Sequence, residues 1–166
     1  LSCMVADLTI GKEKWKDGWG IAEKTQACAI GMFSRALDLA TDDSRSFDAV
    51  MMTFKLAKDS DEEKEIRRQA IREATLGAAE VPLETARLAH SLLQHLPELA
   101  EKGNQNTVSD IGVASLLASA ACKGALFNVE INVSSLPEEM GGALKKEVAS
   151  ILESSRMLSR ACMDAV

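Results

Sequence analysis

The carboxylate of Asp43 is the sharpest candidate for acid–base chemistry, because it interrupts an apolar helical face. Apolar residues recur around it at steps of three and four: Phe33, Ala36, Ala40, Phe47, Val50, Met51 and Phe54. This spacing predicts one buried helix face that includes Asp43 and omits Asp42 and Asp48. A carboxylate in apolar surroundings acquires a bonded partner or a raised pKa, and both mark functional groups. The competing interpretation is that Asp42 or Asp43 caps a helix that breaks at Thr41.

Two amides, Asn128 and Asn132, end a predicted helix over residues 109–132 that consists largely of Ala, Gly, Ser and Leu. Small side chains let another backbone approach closely, so this helix predicts a tight helix contact or a subunit interface. The two amides share a face, about 6 Å apart along the axis. They could bind a ligand, or they could form a buried hydrogen-bonded pair that holds neighbouring helices or subunits together.

A polar turn, GNQNTVSD, precedes this helix at residues 103–110. Thr107 to Asp110 fits a capping box, and Asn104 and Ser109 can bond the backbone of the turn itself. Asp110 also lies on the helix face of Asn128, but the helical rise places them about 27 Å apart. Within one subunit, one reacting centre cannot touch both residues. One of the two groups is therefore expected to be architectural.

Lys12 and Lys14 follow a helix end at Gly11. Cations are favoured at a helix C-terminus, and this alone is enough to account for both lysines. They could also recognise an anionic ligand, because a protein of net charge −6 needs a local basic cluster to hold one.

Composition restricts the class of protein. The 166 residues, 46% hydrophobic and 27% charged, suit one globular domain. No apolar run looks long enough to span a bilayer and no secretory signal opens the chain, so we expect a cytoplasmic protein without a membrane partner. The negative charge and an aromatic content of 4% disfavour nucleic acid. Four scattered cysteines predict buried reduced thiols, and no Cys or His spacing predicts a metal site.

Helix signals cover the chain, and no strand alternation is present. We predict an all-α single bundle of about six or seven helices, some of them long. A capping box at Ser60 to Glu63 opens one helix, Pro82 breaks the next stretch, Gly103 closes a short helix, and Ser134 or Ser135 caps the last one. The predicted helices cover residues 1–10, about 19–56, 60–80, 83–96, 97–102, 109–132 and, with an apolar stripe from Leu144 to Cys162, the C-terminal region.

Four segments together resemble one family. They are TIGKEKW at residues 9–15, DDSRSFDAVM at 42–51, VPLETA at 81–86 and GNQNTVSDIGVASLLASAACKGALFNVEIN at 103–132. They are similar to the cyclodeaminase/methenyltetrahydrofolate cyclohydrolase family, and the resemblance covers nearly all of the chain. In that family a segment with a glycine-rich loop precedes this region. We therefore expect one cyclodeaminase/cyclohydrolase-like domain over residues 1–166 without that segment.

The resemblance implies an activity and site residues. The activity is hydrolysis of 5,10-methenyltetrahydrofolate to 10-formyltetrahydrofolate in one-carbon metabolism by a homodimer, with no cofactor beyond the tetrahydrofolate substrate. Asp43 matches the family's acidic position four residues before the Phe of its segment, and is expected to be catalytic. Lys12 matches a basic cluster that would face the folate tail of one or several glutamates. Asn128, Asn132, Ser109 and Asp110 are the other predicted substrate contacts, and the amides would suit a pterin ring.

Two alternatives stay open. The sister reaction in the family is formimidoyltetrahydrofolate cyclodeaminase, which acts on the same ring atoms and releases ammonia. The other alternative is a helical assembly module without catalysis, in which Asp43 is only a cap. Folate binding separates the module from both enzymes, because a ligand at ~100 times its dissociation constant stabilises the fold by ~2.7 kcal/mol.

Overall fold

The computed structural model describes residues 1–166, which are helical almost throughout and contain no strand. The all-α prediction is confirmed. Five helices have eight residues or more, and a further short one has seven, so the prediction of about six or seven helices is corrected to five helices and this short one. The helices are α1 Ser2–Thr9, α2 Trp19–Thr53, α3 Asp61–Leu93, α4 Leu96–Lys102, α5 Val108–Ser134 and α6 Glu138–Ala165, with 3₁₀ turns at Glu13–Gly18 and Gln105–Thr107.

The helix α3 runs without interruption through Pro82, so the predicted break is wrong. Proline has no N–H to donate to the carbonyl four residues earlier, which here belongs to Ala78. The Nδ2 of Asn132 in α5 donates to that carbonyl over 2.9 Å. The helix continues because a side chain from another helix supplies a donor to the carbonyl that Pro82 cannot serve.

The helix α2 is also continuous, so neither Asp42 nor Asp43 is a cap. Its length is close to the predicted one, and it ends at Thr53. The capping box that opens α3 is confirmed. Ser60 Oγ accepts from the Glu63 N–H over 3.1 Å, and Glu63 Oε2 accepts from the Ser60 N–H over 3.0 Å.

Two predicted caps, Thr107 for α5 and Ser134 or Ser135 for α6, are wrong for one shared reason. The hydroxyls of Thr107, Ser134 and Ser135 donate to the carbonyls of Asn104, Ile131 and Asn132, over 2.9, 2.7 and 2.9 Å. Each hydroxyl bonds to the backbone three residues before it and makes no cap bond to the following helix. The end of α1 is as predicted, because Gly11 there has φ +74, a conformation that favours glycine.

The core consists of two clusters that meet along α5. One joins α3, α5 and α6 and includes Leu83, Leu126, Val129 and Val148. The other joins α1, α2, α4 and the end of α3 to α5 and α6, and includes Leu93, Leu96 and Ile111. The predicted stripe of α6 faces these clusters, with Leu144, Val148, Ile151 and Cys162 buried and Leu158 partly so.

The central helix also corrects the expectation about apolar runs. By length and composition alone, Gln105–Ser134 is apolar enough to cross a membrane. In the fold this segment packs against α1, α3, α4 and α6, and 44% of its apolar window is buried inside the molecule. Burial among these helices accounts for part of this composition, and the rest belongs to apolar side chains of α5 that the chain leaves exposed, such as Leu116, Leu117 and Ile131.

Candidate functional site

Two contiguous cavities form a groove between α2, α3 and α5. Their volumes are about 400 and 350 Å³, within the range of small-molecule sites. They share the side chains of Ala36, Leu39, Thr85 and Ala121. The larger cavity has polar groups at its wall, and the smaller one is lined mostly by apolar side chains and reaches α1.

The larger cavity brings together Asp43 from α2 and Asn128 from α5, which the sequence placed 85 residues apart, with Pro82 and Thr85 of α3 between them. Asp43 has the only charged side chain that lines either cavity. A single carboxylate in a groove without other charged side chains attracts a cationic ligand, and the attraction grows where solvent is excluded. The groove therefore suits a ligand with an apolar body and a positive charge at one point.

The predicted burial of Asp43 is wrong within one chain. Asp43 is exposed, and so is the apolar face around it: Phe33 is 65% exposed and Phe47 62%. The helical periodicity was predicted correctly, but no element of the chain covers this face. Asp43 consequently lies where the groove opens onto an unpartnered apolar surface.

The two asparagines have different positions. Asn128 is exposed and lines the groove. Asn132 lines neither cavity, and its amide is bonded to the Ala78 carbonyl of α3. Of the two alternatives left open by the sequence, the interhelical one describes Asn132.

The remaining predicted contacts lie outside the groove, near the other end of α5. Ser109 is exposed and Asp110 half-buried in its first turn. Lys12 is exposed in the loop after α1, where its carbonyl accepts from Trp19 Nε1 over 3.2 Å. Within one chain the structure thus assembles Asp43 with Asn128, and does not bring Lys12, Ser109 or Asp110 to them.

The polar turn before α5 has an architectural role, as the sequence suggested for Asn104. Asn104 Nδ2 donates to the Leu8 carbonyl over 2.9 Å, and its backbone N–H donates to Thr9 Oγ1 over 3.0 Å. Gln105 Nε2 donates to the Ala100 carbonyl over 2.9 Å. These bonds tie the start of α5 to the ends of α1 and α4.

Sequence reasoning missed an ion-pair clamp beside the groove. Arg35 donates to both carboxylate oxygens of Glu84 over 2.6 Å, and to Asp42 over 2.7 Å. The hydrogen bonds from Arg35 lower the pKa of Glu84, and the two carboxylates raise the pKa of Arg35. Asp42 and Glu84 directly adjoin the groove residues Asp43 and Thr85, so the clamp holds two walls together. Arg35 and Glu84 are 49 residues apart, and no spacing rule connects them.

Comparison with known proteins decides the family. The Formiminotransferase-cyclodeaminase family model matches residues 1–151. The chain belongs to this family. It is 34% identical to a methenyltetrahydrofolate cyclohydrolase of Methylorubrum extorquens, over all of this chain and 80% of that protein.

Members of the family with cyclodeaminase names are also similar. The chain is 30% identical to the formimidoyltransferase-cyclodeaminase of Sus scrofa over 99% of its length, but spans only 30% of that longer protein. The crystal structure of a formiminotetrahydrofolate cyclodeaminase from Thermotoga maritima matches 99% of this chain and 76% of its own, with a TM-score of 0.76 and 27% identity. The resemblance inferred from the four segments is confirmed.

The Arg35 clamp can be tested by Arg35→Met, which keeps the aliphatic stem and leaves Asp42 and Glu84 facing each other. We expect the thermal unfolding midpoint to fall by roughly 2–4 °C, because a bidentate pair is lost and two like charges remain. Arg45→Met is the matched control, since Arg45 is 76% exposed and lies 3.7 Å from Asp42. Equal midpoints for the two variants would show that the clamp contributes no stability.

Proposed function

We propose that this protein is an enzyme that hydrolyses 5,10-methenyltetrahydrofolate to 10-formyltetrahydrofolate. The observation that carries the proposal is the single carboxylate, Asp43, in an otherwise uncharged groove. The substrate is a cation at its reacting carbon, so this groove complements its charge. The relative named as a methenyltetrahydrofolate cyclohydrolase, similar over the whole chain, supports the same reaction.

Asp43 acts as both base and acid in the proposed mechanism. Water attacks the bridging amidinium carbon while Asp43 takes one of its protons. A C–O bond forms, the bond from that carbon to N5 breaks, and Asp43 returns the proton to N5. The second proton of the water passes to solvent, so a cation and water become a neutral formyl product and one proton. Asn128 binds the polar edge of the pterin, and the apolar cavity takes the rest of the ring system. The proposal includes no cofactor beyond the folate.

We propose that the protein forms a homodimer through the exposed faces of α2 and α5. Both helices expose large apolar side chains, and monomers rarely expose large apolar patches. The side chains of the proposed interface are Ile30, Phe33, Leu37, Phe47, Met51, Val113, Leu116, Leu117, Phe127 and Ile131. A second copy would bury this surface and close the groove from solvent, which strengthens the electrostatic contacts of Asp43.

A two-fold axis between two copies would also bring together the predicted substrate contacts that lie apart within one chain. Asp110 and Asn128 lie on one face of α5, about 27 Å apart. In an antiparallel pairing of two α5 helices, the Asp110 end of one copy lies against the Asn128 end of the other. Lys12 and Ser109 of one copy then approach the groove of its partner, where Lys12 can bind the glutamate tail.

We place the reaction in the cytoplasm, where the four unpaired cysteines stay reduced.

The activity itself is the first test. Purified protein should remove the ultraviolet absorbance of the methenyl group much faster than buffer does, with the same rate in the presence of a chelator. If only formimidoyltetrahydrofolate reacts, and ammonia is released, the cyclodeaminase alternative is correct. The enzyme proposal fails if a protein of confirmed mass converts neither substrate.

Asp43→Asn tests the proton carrier. It keeps the shape of the side chain and removes the titrating group, so turnover should fall by ~10²–10⁴-fold while the folate still binds. Asp42 is unsuitable as a control because it pairs with Arg35. Asp48→Asn, an exposed aspartate of α2 outside the groove, should keep the wild-type rate. Near-normal turnover of Asp43→Asn would remove Asp43 from the mechanism.

Gly124→Leu tests the groove as the ligand site. A Cβ at Gly124 meets no atom within 4 Å, so the larger side chain can enter the open cavity without disturbing the fold. Saturating folate should then no longer raise the thermal midpoint of Gly124→Leu. Gly31→Leu is the control, because Gly31 is also helical, also has no neighbour within 4 Å and lines neither cavity. Equal folate-induced shifts in both variants would place the ligand elsewhere.

The dimer predicts a mass about twice the 17.8 kDa of the chain by light scattering at micromolar concentration. Phe33→Asp should shift the mass toward the monomer and reduce activity, because it places a charge in the α2 face. Met157→Asp on α6 is a control of equal exposure, at 64% against 65% for Phe33. A monomer in the wild type, or the same mass in both variants, would contradict the α2–α5 interface.

A further inference from the structure

The hydrogen bond from Asn132 to the Ala78 carbonyl has a specific position. In a regular helix this carbonyl accepts from the N–H of residue 82, which is a proline here. The donor comes from α5 instead, over 2.9 Å and 54 residues along the chain. Pro82 is buried and lines the groove, and Asn132 is one turn beyond Asn128, which lines it from the opposite wall.

We infer that Pro82 and Asn132 form a latch that positions the groove. The proline frees the Ala78 carbonyl, the Asn132 amide bonds to it, and the bond fixes the α3 wall against the α5 wall. Asn132 is then a positioning residue, which acts on the ligand through Asn128 and the α3 side chains. That last step rests on the proposed function, whereas the latch itself does not.

The rest of the α3–α5 contact explains why a directional bond is useful. Around the latch the two helices meet through small and aliphatic side chains, including Ala79, Ala86, Ala125 and Val129. Such contacts are non-directional and allow small slides or rotations of one helix on another. A hydrogen bond requires a defined distance and angle between one atom of each helix. With alanine at position 82 the carbonyl would be satisfied within α3, and the two helices would have no need of the cross-link.

The test is a double-mutant cycle of Asn132→Leu and Pro82→Ala. In the wild-type background, Asn132→Leu leaves the Ala78 carbonyl without this donor, and the thermal midpoint should fall by roughly 3–10 °C. Pro82→Ala restores an N–H inside α3. In that background Asn132→Leu should lower the thermal midpoint much less. If the thermal midpoint fell equally in both backgrounds, Asn132 would not be the donor that replaces the missing N–H of residue 82.

A second measurement separates positioning from simple stabilisation. Pro82→Ala repairs the free carbonyl but does not restore the cross-link. We therefore expect Asn132→Leu to raise KM for the methenyl substrate by roughly 3- to 30-fold in both backgrounds, with a smaller change in kcat, because Asp43 is untouched. If Asn132→Leu raises KM only in the wild-type background, Asn132 merely satisfies the carbonyl, and the positioning role is wrong.

Hydrogen exchange keeps the latch testable if the protein does not turn over this substrate. Amides of α5 around Asn128 should exchange faster in Asn132→Leu than in its parent, in both backgrounds, because the α5 wall has lost its tie to α3. Unchanged exchange would overturn the latch. Faster exchange without any activity in the wild type would instead retain the latch and refute the proposed function.

Discussion

The contact between α3 and α5 is the constraint on which the rest of the structure depends. Both helices present alanines and other small side chains to each other, and Ala79, Ala86 and Ala125 are almost completely buried between them. Small side chains permit a short distance between helix axes, and this closeness lets Asn132 reach a main-chain carbonyl of α3. The same two helices form two of the three walls of the groove, so its shape follows directly from their packing.

The third wall, α2, is held in a different way. The Arg35 clamp anchors the middle of α2 to α3, but no residue from 40 to 74 is buried within the chain. The α2–α3 hairpin beyond this point therefore lacks a core of its own, although it carries Phe47, Met51 and Ile66. Helices gain most of their stability from burial of an apolar face. A second copy packed on this hairpin would supply that burial and would close the groove at Asp43.

Sequence patterns predicted most of the helices, because caps and the 3.6-residue period are local signals. The ends of α1 and α4 and the capping box of α3 followed from residues within a few positions of one another. The break at Pro82 was predicted wrongly because its remedy, Asn132, is 54 residues away. Two cap predictions failed because a hydroxyl has a choice of backbone partners, and residue types alone do not decide between them.

The candidate site was predicted only in part, for a related reason. Periodicity correctly identified the helix face of Asp43, but an apolar face looks the same whether its own chain or a second copy covers it. The pairing of Asp43 with Asn128 across the groove, and the clamp from Arg35 to Glu84, depend on the packing of helices distant in sequence. Spacing singled out Asp43 as a candidate, and recognition of the family segments added the folate chemistry, which spacing could not supply.

The charge of the groove connects this geometry with the successive steps of the proposed reaction. In the substrate the positive charge is delocalised over the amidinium, and attack by water moves it to the incoming oxygen. A carboxylate at the groove edge can stay near this charge, because it takes a proton from the attacking water and later returns that proton to N5. The formyl product carries no charge at that carbon, so its attraction to Asp43 is lost when the ring opens. One carboxylate therefore favours binding of the cation, carries a proton from water to N5, and favours release of the neutral product.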